Sequence, residues 1–371
     1  MKKNKFIPMN PGLIKPTRES ENDSRKVLLS EMPQFLQAKP SEFFGFHAVK
    51  HIEAFEYYQY SLGSCVAESG SRHTGILSYK ENGVLAKPSV QALMAYIKSR
   101  IEKDTAYGAS IDSCPKAIRD YGVPLESEFK SDYTLSWKNF VNDKNISELV
   151  EFEGTKQCIE TYAWADRGLQ GYKVGIFFGE GNVVQGGAVG THEGWAKGNV
   201  RPPIKGEKLW GHAVDFFGYD EDHIYFTNSW SRTWGLTLYL KLVENEFGKY
   251  YIKGNETNYD IIIKGVGAMD VSYEALDSSN DPVLFKGLTY IDLPDELAQK
   301  TKMARTIKTA NDNRIYEVLK DENGVDYYIW ITSDRAYNAG ILNKKWGDWS
   351  AVQEVDSIDP SRVLGTFNKE Y

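Results

Sequence analysis

Cysteine is the scarcest chemically informative residue: there are three among 371, at positions 65, 114 and 158. An odd set without CxxC spacing excludes a disulfide framework and a thiolate zinc cluster. Each thiol is therefore a question of reactivity or packing. Long apolar runs are missing too, since no stretch approaches the roughly 18 continuous apolar residues of a membrane span. The opening Met1-Lys2-Lys3-Asn4-Lys5-Phe6 has the basic start of an export signal without the apolar run that must follow it. The expectation is a chain that is cytoplasmic, or reaches a virion or a surface by a non-standard route, with no membrane partner. Positive charge is in deficit: 44 Lys and Arg against 51 Asp and Glu leave a net charge of −7. Such a field repels polyanions, which excludes nucleic acid as an expected partner.

What is present is ordinary globular material, 41% hydrophobic and 13% aromatic, in a length that suits two domains. Residues 1–40 are polar and punctuated by proline, and read as a loosely ordered N-terminal arm with one short helix near 24–37. Helical spacing runs from Cys65 to about Tyr79, stopped by Glu81-Asn82-Gly83. It returns from Ser89 to Lys103, with Val90, Leu93, Met94, Ile97 and Ile101 on one face, and from Ile111 to Tyr121, closed by Gly122 and Pro124. Short β-branched or aromatic runs follow at 174–178, 212–217, 223–227 and 236–240, each expected as a strand. Helices first and strands second predict an α+β domain with a cleft between two lobes, over residues 41–272. A linker is expected over 273–300, around Asp277-Ser-Ser-Asn-Asp-Pro282. A small C-terminal α+β module is expected over 301–371, with a hairpin joining 314–319 to 327–331 through Glu322-Asn323-Gly324 and a helix starting near Ser333 or Asp334.

One constellation carries chemistry. In Gln59-Tyr-Ser-Leu-Gly-Ser-Cys65 the cysteine sits where a helix begins. Free amides and the positive end of the helix dipole favour a thiolate there. A backbone N–H at that mouth and the Gln59 side-chain amide supply donors for the oxyanion of an attacked carbonyl. A thiolate nucleophile needs a base held in one tautomer by a third group. Gly211-His212-Ala-Val-Asp-Phe-Phe puts a histidine at the start of a strand, and Thr227-Asn228-Ser229-Trp230 ends the next one. If the two strands are antiparallel neighbours, Asn228 reaches the His212 imidazole and Trp230 covers the bond.

These segments resemble the papain-like cysteine peptidases. That family's pattern is an oxyanion glutamine, then Gly-Ser-Cys opening a helix, then His-Ala-Val before a strand, then Asn-Ser-Trp followed by Trp-Gly. Here those elements fall at Gln59, Gly63-Ser64-Cys65, His212-Ala213-Val214, Asn228-Ser229-Trp230 and Trp234-Gly235. His212 lies within the spacing of about 130–150 residues from the cysteine that the pattern expects, and Asn228 overshoots it modestly. The stretch Gln59 to Cys65, with Tyr107-Gly-Ala-Ser-Ile-Asp-Ser-Cys-Pro-Lys-Ala-Ile-Arg-Asp-Tyr-Gly122, resembles the bacterial and viral-type members in particular. The likeness covers residues 40–270.

The resemblance implies a two-lobed fold, one lobe helical and one barrel-like. It implies hydrolysis of peptide bonds through a thioester on Cys65, with a polypeptide as the substrate partner. Gln59 and the Cys65 N–H would hold the oxyanion. His212, charged in a resting ion pair, would act as acid and base, Asn228 would orient it, and Trp230 would shield that bond. Gly108, Ala109 and Ser110 would line the non-primed side of the cleft, with Gly211, Trp230 and Trp234 as further lining residues. No cofactor or metal is implied, only reducing conditions. Two departures stand out. Leu62 and Val66 occupy positions where the local signature has a cysteine and an aromatic residue. Glu68 is either solvent-facing or a buried carboxyl that disfavours the thiolate. The long helical propeptide of secreted members is not found.

Other features have blander readings. Cys114 and Cys158 read as core thiols. His73 lies too far along the first helix for proton transfer to Cys65, and His192 is a rival base without the Asn-Ser-Trp partner. Gly179-Glu-Gly-Asn-Val-Val184 reads as a hairpin turn rather than a dinucleotide loop, and Asp321-Glu-Asn-Gly-Val-Asp326 as a turn rather than a cation loop. The C-terminal module resembles small repeat modules appended to bacterial surface proteins, in Arg314-Ile-Tyr-Glu-Val and Trp346-Gly-Asp-Trp-Ser-Ala-Val. This implies attachment to a protein or surface partner. Two other functional classes stay open: a catalytically silent structural or binding protein of a virion or surface assembly, and a cysteine amidase or transpeptidase.

Overall fold

A computed structural model describes residues 13–14, 27–28, 43–44, 54–159, 161–165, 168–178, 184–204, 207–240, 242–244, 250–252, 261–270, 286–292, 305–309, 312–320, 325–331, 352–355 and 357–367. In chain order they form strands β1 (Leu13–Ile14), β2 (Val27–Leu28) and β3 (Phe43–Phe44), then helices α1 (Cys65–Asn82) and α2 (Val90–Tyr96), the latter continued by a π-helical turn (Ile97–Glu102). Next come β4 (Ala109–Ser110), α3 (Ser113–Tyr121), α4 (Trp137–Phe140), α5 (Glu148–Gly154), β5 (Thr161–Ala165), α6 (Gly168–Phe178), β6 (Val184–Thr191) and α7 (Glu193–Ala196). Strands β7 (Trp210–Tyr219), β8 (His223–Thr227), β9 (Leu236–Leu240), β10 (Leu242–Glu244), β11 (Tyr250–Ile252), β12 (Ile261–Asp270) and β13 (Lys286–Asp292) follow. The last are β14 (Arg305–Thr309), β15 (Asp312–Lys320), β16 (Asp326–Ile331), β17 (Gln353–Val355) and β18 (Val363–Phe367).

Helix α1 ends where the sequence predicts. Gly83 takes φ 68°, and its N–H bonds the Tyr79 carbonyl, the left-handed closure for which glycine has no Cβ penalty. Ser89 caps α2 by accepting from the Ala92 N–H at 3.2 Å. The expected single helix over 89–103 is α2 plus the π-helical turn, closed by Lys103 at φ 56°.

The main sheet runs β2-β5-β13-β6-β7-β8-β12-β9, with β3 paired on β7. Strand β7 lies between β6 and β8, antiparallel to both, and alternation divides its side chains. Ala213 and Phe217 join a core with Val66, Ile76, Leu93, Tyr96 and Ile118 from α1, α2 and α3. Val214 and Phe216 join a second core with Tyr172 and Ile176 of α6, Trp195, Trp230 and Trp234. A helical layer therefore faces one side of the central strand and an aromatic-rich layer faces the other, the α+β arrangement expected from helices followed by strands.

Four expectations fail. Val174-Gly-Ile-Phe-Phe178 is not a strand but the end of α6. Val174, Ile176 and Phe177 are buried, and a short run apolar on all sides carries no period to separate helix from strand. The following Gly-Glu-Gly-Asn-Val thus links a helix to a strand rather than two strands of a hairpin, and 179–183 lie outside the described residues. Within the expected helix over 24–37, Val27–Leu28 form a strand parallel to Ala163–Trp164; pairing with a sheet edge overrides a weak local preference. In the segment expected as linker, Lys286–Asp292 is a strand between β5 and β6.

The C-terminal residues form a separate five-stranded sheet, β17-β14-β15-β16-β18. Its β15 and β16 pair antiparallel from Lys320 opposite Asp326 to Ile315 opposite Ile331, the hairpin expected there. The helix expected near Ser333 lies outside the described residues.

Candidate active site

Cys65 is the first residue of α1 and is fully buried; all three cysteines are thiols. Ser64, the N-cap, makes no side-chain cap bond. Its hydroxyl instead donates to Glu68 Oε1 at 3.1 Å. Glu68 is itself buried and also accepts from the Tyr133 hydroxyl at 2.9 Å. Burial pushes its carboxyl up to about 8, against the opposing pull of those bonds and of Arg72. At neutral pH Glu68 is mostly protonated, which settles its two alternatives: it is buried, but as a neutral group that repels no thiolate.

Gln59 is buried beside this helix mouth. Its backbone N–H donates to the Ser229 carbonyl at 3.1 Å, and its Oε1 accepts from the Ser229 hydroxyl at 2.6 Å. Its Nε2 donates to the Leu62 carbonyl at 2.9 Å, which leaves the second amide proton for another acceptor. Ser229 carried no signal beyond its place between Asn228 and Trp230, yet it fixes the glutamine to the loop that follows β8.

The expected antiparallel neighbours are β7 and β8, and they bring the histidine to the asparagine: His212 Nε2 lies 2.8 Å from Asn228 Oδ1. Asn228 Oδ1 also accepts from the Ser229 N–H at 2.8 Å, which orients the amide. Trp230 stacks on the imidazole with centroids 4.4 Å apart and planes 20° apart. His212 is 1% exposed. Desolvation pulls its pKa down to about 4, with Arg72 adding to the fall and the Asn228 bond opposing it. The imidazole expected to be charged is therefore neutral here, because it is dry.

Residues 13–14 of the N-terminal arm lie beside the strand that carries His212. Leu13–Ile14 pair in parallel with Ala109–Ser110, two of the residues expected to line the non-primed side. On the opposite wall, a Cβ at Gly211 would stand 2.6 Å from the Leu13 carbonyl oxygen, so only glycine admits β1 there. Gly108, at φ 86°, introduces β4. Trp234 is not a lining residue: it is 5% exposed, meets Trp230 edge-on at 5.7 Å and donates its indole N–H to the Trp195 carbonyl. Trp230 is as deeply buried, its ring over the imidazole.

A second group of residues aligns α1 with β7. Cys65, Ser69 and Arg72 fall on one helical face, at i, i+4 and i+7. The Ser69 hydroxyl donates to Asp215 Oδ1 at 2.6 Å, and Arg72 Nη1 donates to Oδ2 at 2.7 Å. All three partners are buried. Burial outweighs Arg72 and raises Asp215 to about 6, leaving it ionised at neutral pH. A carboxylate inside an otherwise apolar strand was the available signal for this network.

The rival base has a structural role. His192 is fully buried, its Nδ1 accepts from the Gly194 N–H at 3.0 Å, and its Nε2 lies 3.0 Å from the Arg201 carbonyl. His73 is a buried packing residue of α1, and the Cys114 thiol donates to the Val66 carbonyl at 3.6 Å. Among the described residues, no cluster of three or more His, Cys, Asp or Glu is placed to hold a metal ion.

The fold is that of the papain-like cysteine proteases. No family model and no curated protein matches the chain. Among solved structures, xylellain, a cysteine protease from Xylella fastidiosa, is 19% identical, covers 71% of this chain and 97% of its own, and superposes with a TM-score of 0.50. Digestive procathepsin L 3 of Tenebrio molitor larval midgut is 14% identical over 72% of this chain and 75% of its own, with a TM-score of 0.48. Bromelain from Ananas comosus, in complex with the E64 inhibitor, is 16% identical over 69% of this chain and all of its own, with a TM-score of 0.43.

Proposed function

We propose that the chain is a cysteine endopeptidase of the papain-like kind, in a latent state whose substrate groove is occupied by its own N-terminal arm. The observation that carries this reading is the 2.8 Å bond between His212 and Asn228 beneath the Trp230 ring, on a strand fastened to the helix that Cys65 opens. In the proposed reaction the Cys65 thiolate attacks the peptide carbonyl. The oxyanion takes hydrogen bonds from the Cys65 N–H and the remaining Gln59 amide proton. His212 protonates the leaving amine, then takes a proton from the water that hydrolyses the thioester. Likeness to the bacterial and viral-type members is part of this proposal, carried by the Gln59–Cys65 and Tyr107–Gly122 segments.

Latency follows from the same geometry. With β1 against Ala109–Ser110 and Gly211, an extended substrate has no edge to pair with, and the dry imidazole cannot hold the proton that the thiol must give up to become a thiolate. Removing residues 1–20 deletes β1 and leaves β2 in the sheet. The shortened chain should digest an unfolded protein substrate and lose that activity on Cys65→Ala. A truncated chain that folds, binds the substrate and cleaves nothing would favour the scaffold reading. Product transferred to an added amine instead of water would favour the transpeptidase.

A further inference from the structure

The loop that leads into α1 holds one residue in a strained conformation. Tyr60, next to Gln59, takes φ 49°, a left-handed conformation that costs a non-glycine residue energy and persists where the surroundings enforce it. Two bonds close the turn from within: the Leu62 N–H donates to the Gln59 carbonyl at 3.0 Å, and Gln59 Nε2 donates to the Leu62 carbonyl at 2.9 Å. From outside, the Tyr107 hydroxyl donates to the Ser61 carbonyl at 2.7 Å, across 46 residues of sequence. The Tyr107 ring also lies against Gly63, where a Cβ would stand 2.5 Å from Cε1 and 2.9 Å from Cδ1. Gly63 does not take a left-handed φ. Glycine is called for there by the approach of the ring and not by the backbone conformation.

Tyr107 is itself braced. The Trp137 ring meets it with centroids 4.7 Å apart and planes 42° apart, and the Trp137 indole N–H donates to the Thr105 carbonyl at 3.1 Å. Trp137 packs in turn on the helical core. The residues before Tyr107 are fixed as well: the Ala106 N–H donates to Asp104 Oδ1 at 3.0 Å, and Asp104 pairs with the buried Lys98 of the π-helical turn. A tyrosine that served packing alone would leave its hydroxyl to water. Here the hydroxyl is spent on the residue between strained Tyr60 and Leu62, the acceptor of the Gln59 side chain. The direction of the Gln59 amide is thus set by a turn that Tyr107 holds.

We propose that Tyr107 is a positioning residue of the oxyanion site: it clamps the turn over residues 59–62 and thereby aims the remaining Gln59 amide proton at the place where the charge develops. The inference rests on the peptidase reading, since only that reaction gives the amide an oxyanion to hold. Tyr107 touches no reacting atom. The clamp is a property of the fold, and it can be measured without catalysis.

Both tests use the full chain. Exchange of the Leu62 amide, followed by NMR, should quicken about tenfold in Tyr107→Phe, which loses one hydrogen bond and keeps the ring, and further in Tyr107→Leu. Unchanged exchange in both variants would overturn the inference. The second test compares two small reagents on Cys65, with the modified residue located by mass spectrometry. Attack on p-nitrophenyl acetate passes through an oxyanion, whereas displacement of iodide from iodoacetamide forms none. Tyr107→Phe should slow acetylation about tenfold and leave alkylation at the rate of the unaltered chain. Equal slowing with both reagents, or slowing with neither, would overturn the positioning role. An unaltered chain that p-nitrophenyl acetate does not acetylate at Cys65 would instead sink the peptidase reading, and the oxyanion role with it, whatever the exchange rates show.

Discussion

Helix α1 meets strand β7 through a buried ion pair and a buried hydroxyl bond to Asp215, whereas β1 meets β4 through two residue pairs and the partly buried Leu13 side chain, with no charge involved. Both contacts touch β7: Asp215 lies on it, and Leu13 lies against its Gly211. The first joins the element that carries Cys65 to the one that carries His212, and breaking it would strand a charge in a dry interior. The second can be undone without leaving a buried charge behind. On the proposed reading, the difference separates what must hold still from what must leave: the reacting groups would rest on the strong contact, and access to them would be controlled by the weak one.

The largest effect should come from attacking the strong contact. Asp215→Asn leaves Arg72 buried and uncompensated, and should cost about 3–5 kcal/mol in urea unfolding. Next is Gln59→Ala in the chain lacking residues 1–20, which should lower kcat by about 10²–10³ with little change in KM, since its amide is asked to act on the developing oxyanion.

Glu68 sharpens the comparison through pH. Its folded pKa of about 8 stands above the ordinary carboxyl value of 4.5, so the native state holds the proton more tightly than the unfolded chain. Stability from this group is fully present below pH 4.5 and drains away as pH rises to 8. Glu68→Gln should therefore be nearly neutral at about pH 5 and stabilising by about 1–3 kcal/mol at about pH 9, read from paired denaturation curves. The smallest stability change belongs to the weak contact: deleting residues 1–20 should cost no more than about 1–3 kcal/mol for the few backbone bonds and the partly buried Leu13 side chain lost.

Much of the helical half was legible because its signals are local. Gly83 ends α1, Ser89 caps α2, and the apolar spacing of Val90, Leu93, Met94 and Ile97 marks a buried face. The His212–Asn228 bond was legible for a different reason, because a two-strand hairpin fixes which residues meet. What could not be read depended on distant partners. Val174–Phe178 became helix because it is buried against the aromatic side of β7, and Val27–Leu28 became strand because the edge of β5 was there to pair with. The arm's position over Gly211 left one trace in the sequence, a glycine before the histidine, and a glycine beside a strand serves equally well as a turn, a bulge or a close approach of backbone. The charge state of His212 was misread because it depends on burial, which no local motif encodes, and Trp234 because its motif gives proximity to the site without saying which way the ring faces.

The central claim is that the arm masks a reactive pair. The direct measurement is labelling by a thiol-directed epoxide between about pH 5 and 7, with the modified residue located by mass spectrometry, in the full chain and in the chain lacking residues 1–20. Relieving the desolvation of His212 raises its pKa from about 4 toward the ordinary 6.5, which lets the imidazolium form opposite the thiolate. The expected result is slow labelling of the full chain, and stoichiometric labelling of the shortened one at Cys65 with Cys114 and Cys158 untouched. Equal rates in the two chains, or label distributed over the three cysteines, would contradict the claim.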